Sequence, residues 1–247
     1  MTGNALNRHS FSFQVLTMIN FTDIEWMSFD CYGTLVDWET GISSAVSSIL
    51  EIHGLRKTSA EILELFSDVE PVVQSSGAFK EYRVALREVM RMIGDRLSLP
   101  LTEAESNCLS DSLPHWPVFP DAREALHNLK QRYKLAIISN VDDDLFAGSA
   151  RALGVEFDAV ITSQQARAYK PNLHSFELAE TVMGVDKGRW LHIGESLYHD
   201  IEPANRLGIR SIWVSRADRG GGTRPTDAQP DLIVPDLAAL AEIMVPA

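Results

Sequence analysis

Asp30 stands at the end of an apolar run, Ile24 to Phe29, and is followed at once by Tyr32, Gly33 and Thr34. A carboxylate so placed can serve as a covalent nucleophile, leaving an ester that water must then hydrolyse. It attacks only when ionised, and a nearby ammonium favours that state against the cost of burial. Lys170, in Tyr169-Lys170-Pro171, is the candidate for that ammonium. Thr34 and the backbone amides of the Gly33 turn would orient the carboxylate oxygens. Ser139 and Asn140 end another apolar run and offer hydroxyl, amide and backbone donors suited to a substrate carboxylate or phosphate. Glu195, Ser196 and Asp200 follow a third run, and Asp200 would activate the hydrolytic water.

These groups act together only if the fold gathers them. Ile24–Asp30 reads as a buried strand. From Trp38 to about His115 the spacing turns helical: Ile42, Ala45, Val46, Ile49 and Leu50, then Ile62, Leu63, Leu65 and Phe66, then Tyr82, Ala85, Leu86, Val89, Met90 and Ile93. Thr102-Glu103-Ala104-Glu105 reads as a helix start with a capping Thr. From Trp116 onward strands and helices alternate. Strands are expected at Lys134–Ser139, Ala159–Thr162, Trp190–Gly194, Arg210–Val214 and Leu232–Val234. Helices are expected from Pro120-Asp121 to about Arg132, then over Leu145–Leu153, His174–Met183, Pro203–Leu207 and Leu237–Met244, with a loop at Gly220-Gly221-Gly222 and Pro225.

Such alternation predicts an α/β fold, a doubly wound Rossmann-like parallel sheet with helices on both faces. The domain reading is an N-terminal extension over 1–18, an α/β core over 19–37 and 116–247, and a helical cap over 38–115. In open parallel sheets the ligand crevice lies outside the carboxyl ends of the strands. Asp30, Ser139, Lys170 and Asp200 all follow strand ends, so they should meet in one crevice.

Net charge is −12, from 34 acids against 22 Lys and Arg. That disfavours a nucleic-acid partner, which needs a basic face. A small anionic organic substrate stays compatible, because one local Lys can dominate a pocket. No apolar run approaches ~18 residues, so no membrane partner is expected. The two cysteines, Cys31 and Cys108, form no CxxC pattern, which favours a reducing, cytoplasmic location. Residues 1–23 lack the continuous apolar core of a signal peptide. Cys31 neighbours Asp30 on a strand end, so it should face the other way and pack as a small apolar residue.

The motifs F-D-x-Y-G-T-L-V-D at 29–37, I-I-S-N at 137–140, Y-K-P at 169–171 and G-E-S-x-x-x-D at 194–200 resemble, in this order, the haloacid dehalogenase superfamily of aspartate-nucleophile hydrolases. The likeness spans about residues 24–215. It implies Asp30, Lys170, Asp200 and Thr34 as catalytic residues, with Tyr32, Ser139, Asn140 and Ser196 near the substrate. Trp38, where the chain enters the helical stretch, is expected to line the pocket as well. Phosphatases of the superfamily carry a second Asp where this chain has Tyr32. A Tyr, with an ordinary pKa near ~10, is a poor proton shuttle at neutrality, whereas a departing halide needs no proton. The resemblance therefore implies a 2-haloacid dehalogenase-like reaction without a cofactor: Asp30 attacks C2, water opens the ester, and a 2-hydroxy acid leaves. It also implies a homodimer through the helix around Phe79–Ile93.

The chain departs from that pattern in several places. The halide-gripping Arg expected just before Glu81-Tyr82 is missing, which leaves Arg83 or Arg87 as substitutes. Phe176 replaces a Tyr, Leu197 an Asn, and Glu195-Ser196 a Ser-Ser pair. G-E-S-x-x-x-D is close to the Mg²⁺-holding motif of the phosphatases. A Mg²⁺-dependent phosphatase acting on a small phosphate monoester is thus the alternative, with Asp30, Glu195 and Asp200 as metal ligands. The competing reading of Glu195 pairs it with Lys170. His192 is expected in the core, His199 beside Asp200 is a candidate crevice residue that would tune the hydrolytic water, and the acids Asp142–Asp144 are expected to favour a helix start.

Overall fold

The computed structural model describes residues 21–216 and 224–246. The N-terminal extension and the Gly220-Gly221-Gly222 loop lie outside the described residues. Six strands pair side by side: β1 Trp26–Phe29, β2 Lys134–Ser139, β3 Ala159–Thr162, β4 Trp190–Gly194, β5 Arg210–Val214 and β6 Leu232–Val234. All pairings are parallel, in the order β3-β2-β1-β4-β5-β6. Strands buried on both faces should be apolar throughout rather than alternating, and β1 and β4 are buried at every position. The first strand is shorter than the expected Ile24–Asp30. Asp30 has turned out of the ladder, although its N–H still bonds the Ile193 carbonyl at 2.9 Å.

The order of the strands fixes where a crevice can form. From central β1 the chain builds β2 and β3 on one side, then crosses to β4, β5 and β6 on the other. The strand order therefore reverses at β1, and a crevice opens over the carboxyl ends of β1, β2 and β4.

Between β1 and β2 lie α1 Trp38–Ile52, α2 Ser59–Ser75, α3 Tyr82–Arg96, α4 Glu103–Ser106 and α5 Cys108–Ser112. The two passages joining this insertion to the sheet are tied together. Asp37 N–H bonds the Pro117 carbonyl at 2.8 Å and Phe119 N–H bonds the Leu35 carbonyl at 3.0 Å. Trp116 packs so tightly on Gly41 of α1 that a Cβ there would come within 2.3 Å of the indole. Caps explain the helix starts: Thr58 and Thr102 both make full capping boxes, the second as the sequence predicts. In α2 the buried stripe is Ile62, Phe66, Val69 and Val73, while the expected Leu63 and Leu65 are only partly covered.

The remaining helices are α6 Ala122–Lys130, α7 Asp143–Leu153, α8 Ser163–Ala166, α9 His174–Met183, α10 Glu202–Leu207 and α11 Leu237–Met244. The apolar residues of α6, α7 and α11 pack in one cluster, and those of α9 and α10 in another, so the sheet is covered on both faces. A π-helical turn, Leu197–Ile201, links β4 to α10. Among the described residues no helix is long and apolar enough to cross a membrane.

Asp142 does something the sequence did not suggest. It precedes α7, yet its carboxylate accepts the backbone N–H groups of Tyr82 and Arg83, each at 2.8 Å. Glu81, the residue preceding α3, makes no side-chain cap of its own. A core residue thus caps a helix of the insertion. Asp143 accepts from Thr162 and Gln165, and Asp144 pairs with Arg83. Loss of a helix cap costs ~1 to 2 kcal/mol. Asp142→Ala should lower the melting temperature by ~2 to 8 °C and reduce amide-exchange protection at the start of α3. Unchanged melting and protection would contradict this role.

Candidate active site

The strand ends deliver their polar groups as the topology requires. Lys170 is almost wholly buried, and its three N–H bonds are all used. They reach Asp30 Oδ1 at 2.8 Å, Asp200 Oδ1 at 2.6 Å and the Ile138 carbonyl at 2.8 Å. The second Asp30 oxygen accepts from Thr34 Oγ1 at 2.9 Å, and Thr34 Oγ1 in turn accepts from the Glu195 N–H at 2.9 Å. Asn140 clamps the Lys170 backbone from both ends of its amide, at 2.7 and 3.2 Å. Its side chain therefore positions Lys170 as well as lining the crevice.

Asp200 is fully buried and anchored from three directions. Its Oδ2 accepts from the Ser196 N–H at 3.2 Å, and its Oδ1 lies 3.4 Å from His192 Nε2. Trp190 Nε1 donates to Ser28 Oγ at 2.7 Å, and Ser28 Oγ lies 2.8 Å from His192 Nδ1. A neutral imidazole that donates to Asp200 must accept at Nδ1, so the Ser28 hydroxyl donates there. Burial keeps His192 neutral by holding its pKa below the usual value. Gly194 makes room for this arrangement, since a Cβ there would sit 2.5 Å from the Asp200 carboxylate.

Electrostatics follow from burial and pairing. Burial pushes Asp30 up to about 6, against the pull of the Lys170 ammonium. Burial alone would raise Asp200 too, but Lys170 and His192 hold it well below the usual carboxylate range. Burial pulls Lys170 down, and the two carboxylates more than reverse that, so it remains an ammonium. Asp200 is therefore a weak base with its oxygens occupied. Lys170, the Ser196 N–H and His192 surround it, so little of its carboxylate is left to take a proton from water.

Above these residues lies a cavity of about 410 Å³. Asp30, Tyr32, Trp38, Ser139, Asn140, Lys170, Glu195, Ser196 and Asp200, all drawn from the sequence, line it together with His199. Thr34 sits behind Asp30 rather than on the wall. The Ser139 hydroxyl is buried and has no hydrogen-bond partner among the described residues, so it is free to donate into the cavity. The Tyr32 hydroxyl is tied to Ser149 Oγ at 3.0 Å, and burial drives its pKa well above the usual value. His199 lies 3.1 Å from Ser196 Oγ, and burial holds it down to about 4.

Several expectations are corrected. Glu195 does not pair with Lys170, whose donors are all taken. Instead burial, then Asp200 and Asp30, push the Glu195 carboxyl up to about 7. Asp30, Glu195 and Asp200 line one cavity, although among the described residues no three acid, His or Cys groups are gathered as a metal-ligand cluster. Lys170, Thr34 and the Ser196 N–H already use the two Asp groups. Arg83 faces Asp144 and Asp111 and, like Arg87, does not line the cavity. Phe176, which replaces a Tyr of the pattern, is buried 4.8 Å from the His192 ring. Cys31 is fully buried, as expected.

The outer wall is built from residues that no sequence motif marks as pocket-lining: Phe66, Ser67, Glu70 and Pro71 of α2, Tyr82, Trp116, Tyr198, Arg224 and Pro225. Helical periodicity marked Phe66 as apolar. Glu70, four residues on and hence on the same face, was the polar residue to question.

The sheet thus brings a carboxylate, an ammonium and a second carboxylate together at its switch point, under one cavity. The haloacid dehalogenase-like hydrolase family is matched over residues 27–214, and the chain belongs to that family. It is 26% identical over 226 residues to haloacetate dehalogenase H-2 of Moraxella sp. (strain B), covering 90% of this chain and 98% of that one. It is 26% identical over 230 residues to an (S)-2-haloacid dehalogenase of Pseudomonas putida, covering 90% and 97%. Its fold matches that of the L-2-haloacid dehalogenase of Xanthobacter autotrophicus with chloropropionic acid covalently bound. That match has a TM-score of 0.75 at 22% identity and covers 89% and 98% of the two chains.

Removing one partner of a buried ion pair leaves the other charge uncompensated, at ~3 to 5 kcal/mol. Lys170→Met should lower unfolding free energy by that amount in denaturant titrations. The loss should be larger near pH 8 than near pH 5, because Asp30 and Asp200 protonate more readily without the ammonium. A pH-independent or negligible change would contradict the account.

Proposed function

We propose that this hydrolase cleaves the bond between C2 and a leaving halide in a small 2-substituted carboxylate, through an ester on Asp30. The observation that carries this reading is Tyr32. Its hydroxyl is occupied by Ser149 and its pKa lies well above neutrality, so this position offers no proton to a leaving group. A halide departs without one.

An Asp30 carboxylate oxygen forms a bond to C2 as the carbon–halogen bond breaks, and halide leaves with the bonding pair. Water then adds to the Asp30 ester carbonyl, losing a proton to a base. Collapse expels the 2-hydroxy acid, whose oxygen takes up a proton, and restores the Asp30 carboxylate. Lys170 and Thr34 hold the Asp30 oxygens through both steps. The unpartnered Ser139 hydroxyl and the aromatic wall of Trp38, Tyr82 and Trp116 suit a small organic acid. Glu195 lines the cavity with a pKa near neutrality, which suits the base better than Asp200 does.

Glu195 also favours one second reading. A carboxyl near neutrality could supply the proton that an alcohol leaving group needs, as in a phosphatase, although the acids do not converge as metal ligands. The test runs both substrates. Chloride release from 2-chloropropionate should persist in chelator and exceed phosphate release from a monoester panel supplied with Mg²⁺. Phosphate release alone would overturn the proposal. Because Asp30 must be ionised, kcat/KM for the haloacid should be level at higher pH and fall as pH drops through about 6. An activity that rises with acidity would contradict an Asp30 nucleophile.

A further inference from the structure

A substrate carboxylate entering this cavity needs a cation, and Lys170 is not available to it. Its donors are spent on Asp30, Asp200 and the Ile138 carbonyl. The wall otherwise carries acids: Asp30 and Asp200 below, Glu195 and Glu70 beside them. Among the described residues Arg224 is the other permanent cation on the wall. It comes from the connection between β5 and β6, not from the helical insertion. Its guanidinium lies 5.1 Å from the centre of the Tyr198 ring, a stacking contact that steadies the group without using its N–H donors. Among the described residues it makes no ion pair or hydrogen bond. Glu70 is close enough to feel its charge, yet the Glu70 carboxyl accepts from Gln74 instead.

We propose that Arg224 receives the carboxylate of the substrate with its paired N–H donors, and so sets the preference of this site for 2-substituted acids over neutral analogues. This rests on the reaction proposed above. It gives the cavity a receiver for the carboxylate and does not replace the halide-gripping Arg that the insertion lacks. A guanidinium–carboxylate fork is planar and bidentate, which fixes the orientation of C2 as well as attracting the anion. Because the carboxylate is bound before and during attack alike, its loss should weaken binding and leave the chemical step nearly unchanged.

The test separates binding from reaction. The unreactive Asp30→Asn variant is titrated calorimetrically with 2-chloropropionate and with 2-chloropropionamide, with and without Arg224→Gln. Removing a charged hydrogen-bonding partner should weaken the acid by ~10- to 100-fold and leave the amide unchanged, with Arg224→Lys recovering part of the loss. In the otherwise intact enzyme Arg224→Gln should raise KM and spare kcat. Equal affinity of both proteins for the acid, equal weakening of acid and amide, or no measurable binding of the acid would overturn the proposal. A fall in kcat at unchanged KM would also overturn it, by assigning Arg224 to the departing halide. If Arg224-dependent binding is found but no chloride is released by the intact enzyme, the reaction fails while the carboxylate site stands.

Discussion

The structure depends on one buried ammonium held between two carboxylates. Two acids cannot share a dry site without a counter-charge, and two buried acids beside one ammonium still carry a net negative charge. Lys170 resolves part of this by bonding both Asp30 and Asp200, and the rest is distributed unequally. Asp200 gathers His192, the Ser196 N–H and Lys170, and is held as an anion. Asp30 has fewer partners and a face on the cavity, so it is the acid left closer to neutrality and open to an electrophile. The asymmetry between the two carboxylates fits the division of work proposed above, with Asp200 held as an anchor and Asp30 left to attack.

Much of the surrounding chain serves that triad. Asn140 grips the backbone of Lys170, Thr34 couples the Asp30 carboxylate to the Glu195 backbone, and Gly194 leaves space for Asp200. Arg216 Nη1 donates to both Asp121 carboxylate oxygens and its Nη2 donates to the Thr34 carbonyl, fixing the turn after Asp30 from behind. Beyond this rigid floor, the helical insertion supplies an aromatic and acidic roof. Asp142 ties roof to floor by capping α3, so cavity shape and core geometry are coupled through one side chain.

The strand ends were legible because burial forces continuous apolar runs, and the polar residues that end them stand out. Asp30, Ser139, Lys170 and Asp200 were found that way, and they meet. What was not legible depends on contacts distant in sequence. Glu195 beside a Lys in the same crevice looks like a salt bridge until the three Lys170 donors are accounted for. Asp142 looks like the start of its own helix, yet it caps another, 60 residues earlier. Arg224 follows a glycine-rich stretch with no periodicity, so nothing local marks it as a cavity residue. The face that α2 presents to Asp30 is set by packing of the insertion, which helical spacing alone cannot orient.

The central claim is that Asp30 itself forms and loses the bond to substrate. Single-turnover reaction of 2-chloropropionate in ¹⁸O-water, followed by mass spectrometry of the peptide containing Asp30, tests it directly. The account predicts one heavy oxygen in the Asp30 carboxylate and an unlabelled 2-hydroxy acid. Label in the hydroxyl of the product, with none in Asp30, would mean that water attacks C2 directly, and would contradict it.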